Sequence, residues 1–273
     1  MVTLELQQQI EDFLLSKNVR HGVLVPNSRK SSNVCLTDNE NVFIKVNRNY
    51  VAPLTALRAA TNIDNEYIQP LIPEFKSLPN SHYVTVWDYI ECKKPELTKE
   101  FLNEAVEGLF NIHITAPMFE YQSGRVLEKI LQRRINKLPE LAVISNIEQL
   151  IEKHVTNIYD DEPKFVLSHG DAHLGNLVNV EGKAVWIDYE QVKIIPKEWD
   201  IACLFSDLKA VNSPYAYYIV EEFNKLSPVN FKLLTNMVMA RKISIATHMI
   251  SRHPDMSWDE VENKLRFKDS LDF

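Results

Sequence analysis

Three polar side chains between residues 171 and 188 have the types and the spacing that metal-assisted phosphoryl transfer requires. Asp171 and Asn176 lie in the run HGDAHLGN, and Asp188 follows in IDYE. A carboxylate can orient a hydroxyl group and accept its proton, whereas an amide oxygen and a second carboxylate are suited to hold Mg²⁺. The combination therefore indicates phosphoryl transfer, with Asp171 as the catalytic base and Asn176 and Asp188 as metal ligands.

The flanking sequence predicts that short strands position these residues. An apolar strand at 165–167 ends just before Asp171, which places Asp171 in a loop. Two further short strands, at 177–178 and 184–187, are joined through the turn residue Gly182. This hairpin carries one predicted metal ligand at its start and the other at its end.

The run HGDAHLGNLV, followed by WIDYE and EWDIA, resembles the catalytic core of the aminoglycoside phosphotransferase and choline kinase family, which shares its fold with the protein kinases. The interval from Asp171 to Asn176 matches the base-to-Asn spacing of the protein-kinase catalytic loop, and Asp188 stands where the DFG aspartate would. The resemblance also implies that Asp200, in EWDIA, accepts hydrogen bonds from the backbone of the catalytic loop. It implies an α+β, bilobal protein-kinase-like fold with a small N-terminal β-sheet lobe and a larger, mainly helical C-terminal lobe.

The predicted elements divide the chain near residue 90. Residues 1–90 are expected to form an N-terminal nucleotide-binding lobe, and residues 91–273 a C-terminal catalytic and substrate-binding lobe. The first lobe begins with an amphipathic helix. Its other predicted elements are strands at 22–25, 33–37, 42–46 and 82–87 and a helix around 54–69.

By the same resemblance, the N-terminal lobe would bind ATP, with GTP as the alternative, together with Mg²⁺. Lys45 lies among apolar residues in VFIKV, where a lysine is costly unless an anion meets it. The resemblance implies that Lys45 binds the α- and β-phosphates and that Glu66, on the following helix, is its ion-pair partner. Backbone groups of the hinge, which includes Asp88 and Ile90, would bind the purine.

The expected phosphate-binding loop departs from the protein-kinase pattern. Protein kinases use GxGxxG, whereas residues 26–37, PNSRKSSNVCLT, contain no glycine. Ser32 and Asn33 resemble the Ser-rich turn followed by Asn in small-molecule kinases of the family, where amides and hydroxyls could hold phosphate oxygens. An ordinary polar hairpin turn is an equal alternative for this segment.

Composition narrows the class of protein and of partner. Lys and Arg number 30 against 37 acidic residues, and the net charge of −7 argues against nucleic-acid binding and mildly favours a cationic small-molecule acceptor. Cys35, Cys92 and Cys203 have no CxxC spacing, so they indicate neither a disulfide framework nor a zinc site. The N-terminal segment lacks the features of a signal peptide, and no stretch is long enough to span a membrane. We therefore expect a cytoplasmic protein without a membrane partner.

These observations predict an ATP- and Mg²⁺-dependent enzyme that phosphorylates an alcohol group of an aminoglycoside, an amino alcohol or a related metabolite. Two alternatives remain open. A metal-dependent hydrolase could use His169, Asp171 and His173, which alternate as H-x-D-x-H. A catalytically inactive, kinase-like binding protein is compatible with the glycine-free loop. The sequence does not identify the acceptor, the oligomeric state or the roles of Glu190 and His173.

Overall fold

The computed structural model divides the chain into two compact units. The residues that it describes are 4–19, 24–26, 33–37, 42–63, 65–88, 90–116, 126–136, 138, 143–159, 163–267 and 271. Unit 1 comprises Met1–Pro95 and Val178–Val192, and unit 2 comprises Glu96–Leu177 and Lys193–Phe273. The hairpin segment after residue 177 therefore joins the N-terminal unit, whereas the sequence predicts two consecutive segments.

A five-stranded antiparallel sheet is the main element of unit 1. Its strands are β1 (Leu24–Pro26), β2 (Asn33–Thr37), β3 (Val42–Asn47), β4 (Lys76–Leu78) and β5 (His82–Asp88). They pair in the order β1-β2-β3-β5-β4. The four predicted strands are present within one or two residues of their expected ends, and β4 is an additional edge strand.

One face of this sheet packs against helix α1, which spans Leu4–Ser16. The buried residues of this core include Ile10 and Leu14 of α1, Val42, Ile44 and Val46 of β3, and Val84 and Val86 of β5. Successive residues of a strand point to opposite faces. The packing of β3 onto α1 therefore directs Lys45 to the opposite face of the sheet.

Helix α2 spans Val51–Asn62 and is shorter than the predicted helix at 54–69. After it the chain turns at Asn65, whose side-chain oxygen accepts a hydrogen bond from the amide of Tyr67 at 3.0 Å. An Asn side chain that bonds to the backbone two residues ahead favours a turn over a helix. Glu66 consequently lies in this turn and not on the helix.

Strands β7 (Leu177–Val180) and β8 (Lys183–Trp186) form the predicted hairpin. Its two turn residues, Glu181 and Gly182, have φ values of 51° and 91°. Positive φ at both positions is typical of the tight hairpin turns whose twist matches that of the strands. The side chain of Asn179 accepts a hydrogen bond from the amide of Gly182 at 2.8 Å and so stabilises the turn.

Unit 2 consists mainly of helices. They are α3 (Lys99–Ile114), α4 (Val126–Ile135), α5 (Val143–His154), α6 (Glu198–Ala210), α7 (Ala216–Leu226), α8 (Phe231–Arg252) and α9 (Trp258–Leu265). Helix α6 is buried along its first eight residues, as expected for a helix at the centre of a unit. A short antiparallel pair, β6 (Phe165–Ser168) with β9 (Lys193–Pro196), delivers the loop that begins at His169. In the part of the chain that the structure describes, no helix combines the length and the apolar character needed to cross a membrane.

Candidate functional site

The carboxylate of Asp200 holds the start of the loop that carries Asp171. Asp200 is fully buried, and its oxygens accept hydrogen bonds from the amides of His169 and Gly170 at 2.8 and 2.9 Å. Nε2 of His113, on α3, lies 2.9 Å from Oδ2 of the same carboxylate. These are the backbone contacts that the resemblance implied for Asp200.

Two further side chains fix the backbone on either side of Asp171. The indole N–H of Trp199 donates to the carbonyl of Gly170 at 2.9 Å, and Nδ2 of Asn176 donates to the carbonyl of Asp171 at 3.0 Å. Gly170 has a φ of 80°, a conformation that residues with a side chain rarely adopt. The bond from Asn176 uses its amide nitrogen and leaves the amide oxygen as the atom suited to bind a cation.

The carboxylate of Asp171 lies between two basic side chains. Nη1 of Arg241, on α8, is 3.1 Å from Oδ1, and Nε2 of His173 is 3.5 Å from Oδ2. Burial raises the pKa of Asp171, but the hydrogen bond from His173 and the charge of Arg241 outweigh this effect and lower the pKa to about 2. Asp171 is therefore ionised at neutral pH and able to accept a hydrogen bond from a hydroxyl group.

His173 has a defined place beside Asp171, which the sequence did not predict. The amide of Gly175 donates to Nδ1 of His173 at 3.0 Å, so the neutral ring carries its proton on Nε2, the atom that faces Asp171. Nδ1 also lies 3.9 Å from Oδ2 of Asp207, which accepts the amide of Leu174. A Cβ atom on Gly175 would lie 2.7 Å from Cε1 of His173, so the ring occupies space that only glycine leaves open.

Arg241 is a second residue that the sequence analysis missed. It lies on α8 between Ala240 and Ile243, two buried members of the apolar stripe along this helix. Its side chain is only 13% exposed, and Nε is buried without a hydrogen-bond partner in the described part of the chain. The sequence did contain a signal for this residue, namely an arginine within an apolar helical stripe, because a buried charge requires a partner.

In unit 1, Lys45 forms ion pairs with two carboxylates. Its Nζ atom lies 2.8 Å from Oδ1 of Asp188 and 2.8 Å from Oε1 of Glu190. Asn47 Nδ2 donates to the same oxygen of Glu190 at 3.0 Å. Burial lowers the pKa of Lys45, but the two carboxylates outweigh it and the pKa is raised. Lys45 therefore remains charged although its side chain is only 12% exposed.

The predicted partner of Lys45 requires a correction. Glu66 contacts Lys183 instead, at 3.4 Å, and both of these side chains are largely exposed. Because α2 ends at Asn62, Glu66 lies in the turn beyond it and not on the helix that was expected to present it. Among the described residues, Glu190 takes the position beside Lys45 that the sequence analysis assigned to Glu66.

The backbone of Asp188 adopts an unusual conformation. Its φ and ψ are 67° and 62°, in the left-handed region, which aspartate tolerates better than most non-glycine residues. The next residue, Tyr189, is buried, and its hydroxyl accepts a hydrogen bond from Asn65 at 2.9 Å. Burial raises the pKa of Tyr189 to about 12. Such backbone conformations occur at functional sites when the surrounding packing holds them.

The remaining nucleotide-binding predictions fall on less informative positions. Ser32 lies outside the described residues, and Asn33 begins β2 with a side chain that is likewise outside them. Asp88 is the exposed last residue of β5, and Ile90 lies in an irregular segment. Asp88 borders a cavity of about 830 Å³ in unit 1, but Lys45 is not among the residues that line it. The roles of these residues stay predictions.

The hydrolase alternative gains no support from the loop. His169 is fully buried, whereas His173 is partly exposed, and the ring of His169 accepts the amide of Asp171 through Nδ1 at 3.4 Å. Among the described residues, no group of three or more His, Cys, Asp or Glu side chains is arranged to hold a metal ion. His169, Asp171 and His173 therefore alternate in sequence without forming a metal site.

Comparison with known proteins identifies the fold. No protein-family model matches the chain, and no curated protein sequence matches it significantly. Choline kinase LicA from Streptococcus pneumoniae has a TM-score of 0.70 at 14% identity, with 96% of each chain covered. Aminoglycoside phosphotransferase APH(3'')-Id from Streptomyces rimosus, solved with ADP and streptomycin, has a TM-score of 0.67 at 13% identity, with 87% of this chain and 98% of that chain covered. Amicoumacin kinase hAmiN, solved with AMP-PNP, Ca²⁺ and Ami, has a TM-score of 0.66 at 12% identity, with 94% of this chain and 92% of that chain covered.

These similarities confirm the predicted α+β, protein-kinase-like fold. They also confirm, at the level of the fold, the resemblance to aminoglycoside phosphotransferases and choline kinase that the sequence motifs indicated. At this degree of identity a shared fold does not transfer a substrate, because one fold hosts many functions.

Proposed function

We propose that this chain is an ATP- and Mg²⁺-dependent phosphotransferase that phosphorylates a hydroxyl group of a small molecule. The observation that carries the proposal is the constrained position of Asp171 in a chain with the fold of small-molecule kinases. Asp200 and Trp199 bind the backbone before Asp171, and Asn176 binds its carbonyl. A loop held at this many points keeps its carboxylate in one position, as a base that must orient a nucleophile requires.

Lys45 supports a nucleotide-binding role for unit 1. It is a nearly buried cation held by Asp188 and Glu190, on the sheet face opposite α1. In our proposal, Lys45 binds the α- and β-phosphates of ATP, or of GTP, when the nucleotide is present. A compact ammonium group with two adjustable carboxylate partners is suited to exchange one of them for a phosphate oxygen.

Asn176 and Asp188 each carry an oxygen of the type that Mg²⁺ binds. Asn176 has committed its amide nitrogen to the carbonyl of Asp171 and keeps its amide oxygen. Asp188 contributes a carboxylate of which one oxygen contacts Lys45. Amide and carboxylate oxygens are the hard ligands that Mg²⁺ takes in small number while it keeps several waters. When bound, the ion would neutralise charge on the phosphates.

In the proposed reaction, the acceptor hydroxyl oxygen forms a bond to the γ-phosphorus. The bond between this phosphorus and the β–γ bridging oxygen breaks, and ADP leaves with that electron pair. Asp171 orients the hydroxyl group through a hydrogen bond and accepts its proton as the new bond forms. A pKa of about 2 keeps Asp171 ionised throughout the physiological range, so its main contribution is orientation.

The proposal is tested by nucleotide binding and transfer in two variants. Asp171→Asn should still bind ATP with Mg²⁺ in a thermal shift assay, but should lose transfer by roughly a hundredfold or more across amino alcohols, aminoglycosides and sugars. Lys45→Met should keep the packing of the strand and lose nucleotide affinity. Lys183→Met is the matched control, because Lys183 is an exposed strand lysine of the same unit whose partner, Glu66, is also exposed.

Near-normal transfer by Asp171→Asn would contradict the proposed base. Equal ATP affinity in Lys45→Met and Lys183→Met would contradict the phosphate-binding role of Lys45. Binding of ATP with Mg²⁺ by the wild-type protein, without transfer to any acceptor, would instead favour an inactive, kinase-like binding protein.

A further inference from the structure

Three basic side chains of unit 2 lie around the loop that carries Asp171. We refer to Arg134, Lys193 and Arg241 as the basic cluster. Arg241 is the best defined of them. Its Nη1 atom is 3.1 Å from Asp171, and its side chain is 13% exposed. The proposed base therefore has a nearly buried guanidinium as a direct neighbour.

Arg134 reaches the same face of helix α8 from helix α4. Its Nη1 group donates a hydrogen bond to the hydroxyl of Ser244, three residues after Arg241 on α8. Side chains three residues apart on a helix are neighbours, so Arg134 lies beside Arg241. Burial and the charge of Arg241 both lower the pKa of Arg134, and Asp171 offsets them only in part. The guanidinium groups of Arg134 and Arg241 are thus close together, and the partner identified for Arg134 is a neutral hydroxyl group.

Lys193 approaches the loop from the strand pair. It is the first residue of β9 and lies opposite Ser168, the last residue of β6 before the loop. Burial lowers the pKa of Lys193 despite the opposing charges of Asp171 and Asp200. Among the described residues, no ion pair is formed by Lys193. Its position across the ladder from Ser168 brings a third basic side chain to the base of the loop.

The carboxylates near the basic cluster already have hydrogen-bond partners of their own. The carboxylate of Asp200 is occupied by two backbone amides and His113. Asp207 accepts the amide of Leu174 and faces His173. Asp171 is the carboxylate in direct contact with the cluster, through Arg241, and it also faces His173. Asp200 acts on Lys193, and Asp207 on Arg241, through their charges. Like charges that are partly removed from water are stabilised when an anion joins them.

We propose that the basic cluster binds an anionic group of the acceptor, a carboxylate or a phosphate, so that the substrate is a hydroxyl compound with a negative charge. The inference rests on the proposed function, since a hydroxyl group oriented by Asp171 brings the rest of its molecule within reach of the cluster. Guanidinium groups offer the planar pairs of donors that carboxylates and phosphates accept. The proposed anionic acceptor differs from the cationic acceptor that the net charge favoured. Net charge describes the whole surface of the protein, whereas recognition depends on the groups at the site.

Anion binding by the cluster can be measured without knowledge of the natural acceptor. The probes are inorganic phosphate and acetate, and the readout is the thermal shift of the protein saturated with AMP-PNP and Mg²⁺, so that the nucleotide site is already filled. At least one probe should stabilise the wild-type protein. Arg134→Gln and Lys193→Met should each weaken this stabilisation by about tenfold in apparent affinity, the effect of losing one hydrogen bond to a charged group.

Two further variants separate charge from packing. Arg133→Gln is the matched control, because Arg133 and Arg134 are both exposed on α4 but Arg134 is the one that donates a hydrogen bond to Ser244 of α8. This variant should bind the probes as the wild type does. Arg134→Lys retains the positive charge and should recover most of the affinity that Arg134→Gln loses. Absence of stabilisation in the wild-type protein would overturn the inference. So would equal stabilisation in the wild type, Arg134→Gln and Lys193→Met.

Kinetic measurements assign the anion to the acceptor and identify its chemistry. Gluconate, glucose phosphate, glucose and glucosamine have similar hydroxyl groups and differ in charge. One of the two anionic compounds should be the better acceptor, and Arg134→Gln should raise KM for it while KM for ATP is unchanged. A preference for glucosamine, or an increase in KM for ATP alone, would refute an anionic acceptor. Failure of AMP-PNP to bind would count against the proposed function. In that case, thermal shifts with phosphate and acetate in the absence of nucleotide would still test whether the basic cluster binds an anion.

Discussion

Replacement of Asp200 by asparagine should destabilise unit 2 and loosen the loop that carries Asp171. Asp200 has no exposed surface, and its carboxylate accepts hydrogen bonds from the amides of His169 and Gly170 and from His113. Asparagine keeps one acceptor oxygen but places an NH₂ group where the second oxygen was. At least one buried donor then faces another donor.

The magnitude follows from the number of donors left without an acceptor. The introduced asparagine can orient its oxygen toward the position of Oδ2, which serves His169 and His113, so the smallest loss is the single bond to Gly170. A hydrogen bond to a charged group contributes about 1.5–3 kcal/mol. We therefore expect the Asp200→Asn variant to lose about 1.5–3 kcal/mol of unfolding free energy, a large fraction of the roughly 5–15 kcal/mol that is typical of folded domains.

Urea unfolding of the purified variant measures this loss, with Asp207→Asn as the matched control. Asp207 lies two turns further along α6, its side chain is 26% exposed, and it accepts one backbone amide at 3.1 Å. A partly exposed hydrogen bond contributes only about 0.5–1.5 kcal/mol, so the control should lose less. Equal losses in the two variants, or a loss below about 0.5 kcal/mol for Asp200→Asn, would refute the structural role assigned to Asp200.

Three further predictions concern the charged groups of the site. Asp188→Asn and Asp188→Ala should both lose the Mg²⁺-dependent part of the thermal shift with ATP, and an unchanged shift would exclude Asp188 as the metal ligand. Without ligands both variants lose the ion pair with Lys45, but the alanine variant should be about 1 kcal/mol less stable than the asparagine variant, because asparagine tolerates left-handed backbone. Glu190→Gln should weaken nucleotide binding through Lys45, whereas Glu66→Gln should not, and calorimetric titration with ATP would show the reverse if Glu66 were the functional partner. The pKa of Asp171 is lowered on folding from 3.8 to about 2, so its ionisation contributes stability that is present above pH 3.8 and lost as the pH falls through about 2. The unfolding free energies of the wild type and Asp171→Asn should therefore converge over this range in urea titrations, and a constant difference would contradict the ion pair.

Local sequence patterns were sufficient to predict several structural elements of the site. The alternation of VFIKVN predicts strand β3 and the inward position of its apolar residues, which in turn directs Lys45 to the other face. The glycine in the turn at 181–182 predicts the hairpin, because few residues other than glycine accept positive φ. The spacing from Asp171 to Asn176 is short enough to indicate one loop, and the hydrogen bond between them lies within that loop. In each case the determining interactions are close in sequence.

Tertiary structure alone decided which distant groups meet these residues. Lys45 and Glu190 are separated by more than a hundred residues, and their ion pair depends on the hairpin segment joining unit 1 and on α2 ending before Glu66. Arg241 is 70 residues from Asp171, in an apolar stripe that by itself indicates only a buried helix. Hydrophobic periodicity determines which face of α8 is buried, but not which loop packs against it, because burial of apolar surface is non-directional. The partners of the proposed base, and with them the negative charge that we propose for its acceptor, therefore depend on the packing of the helices.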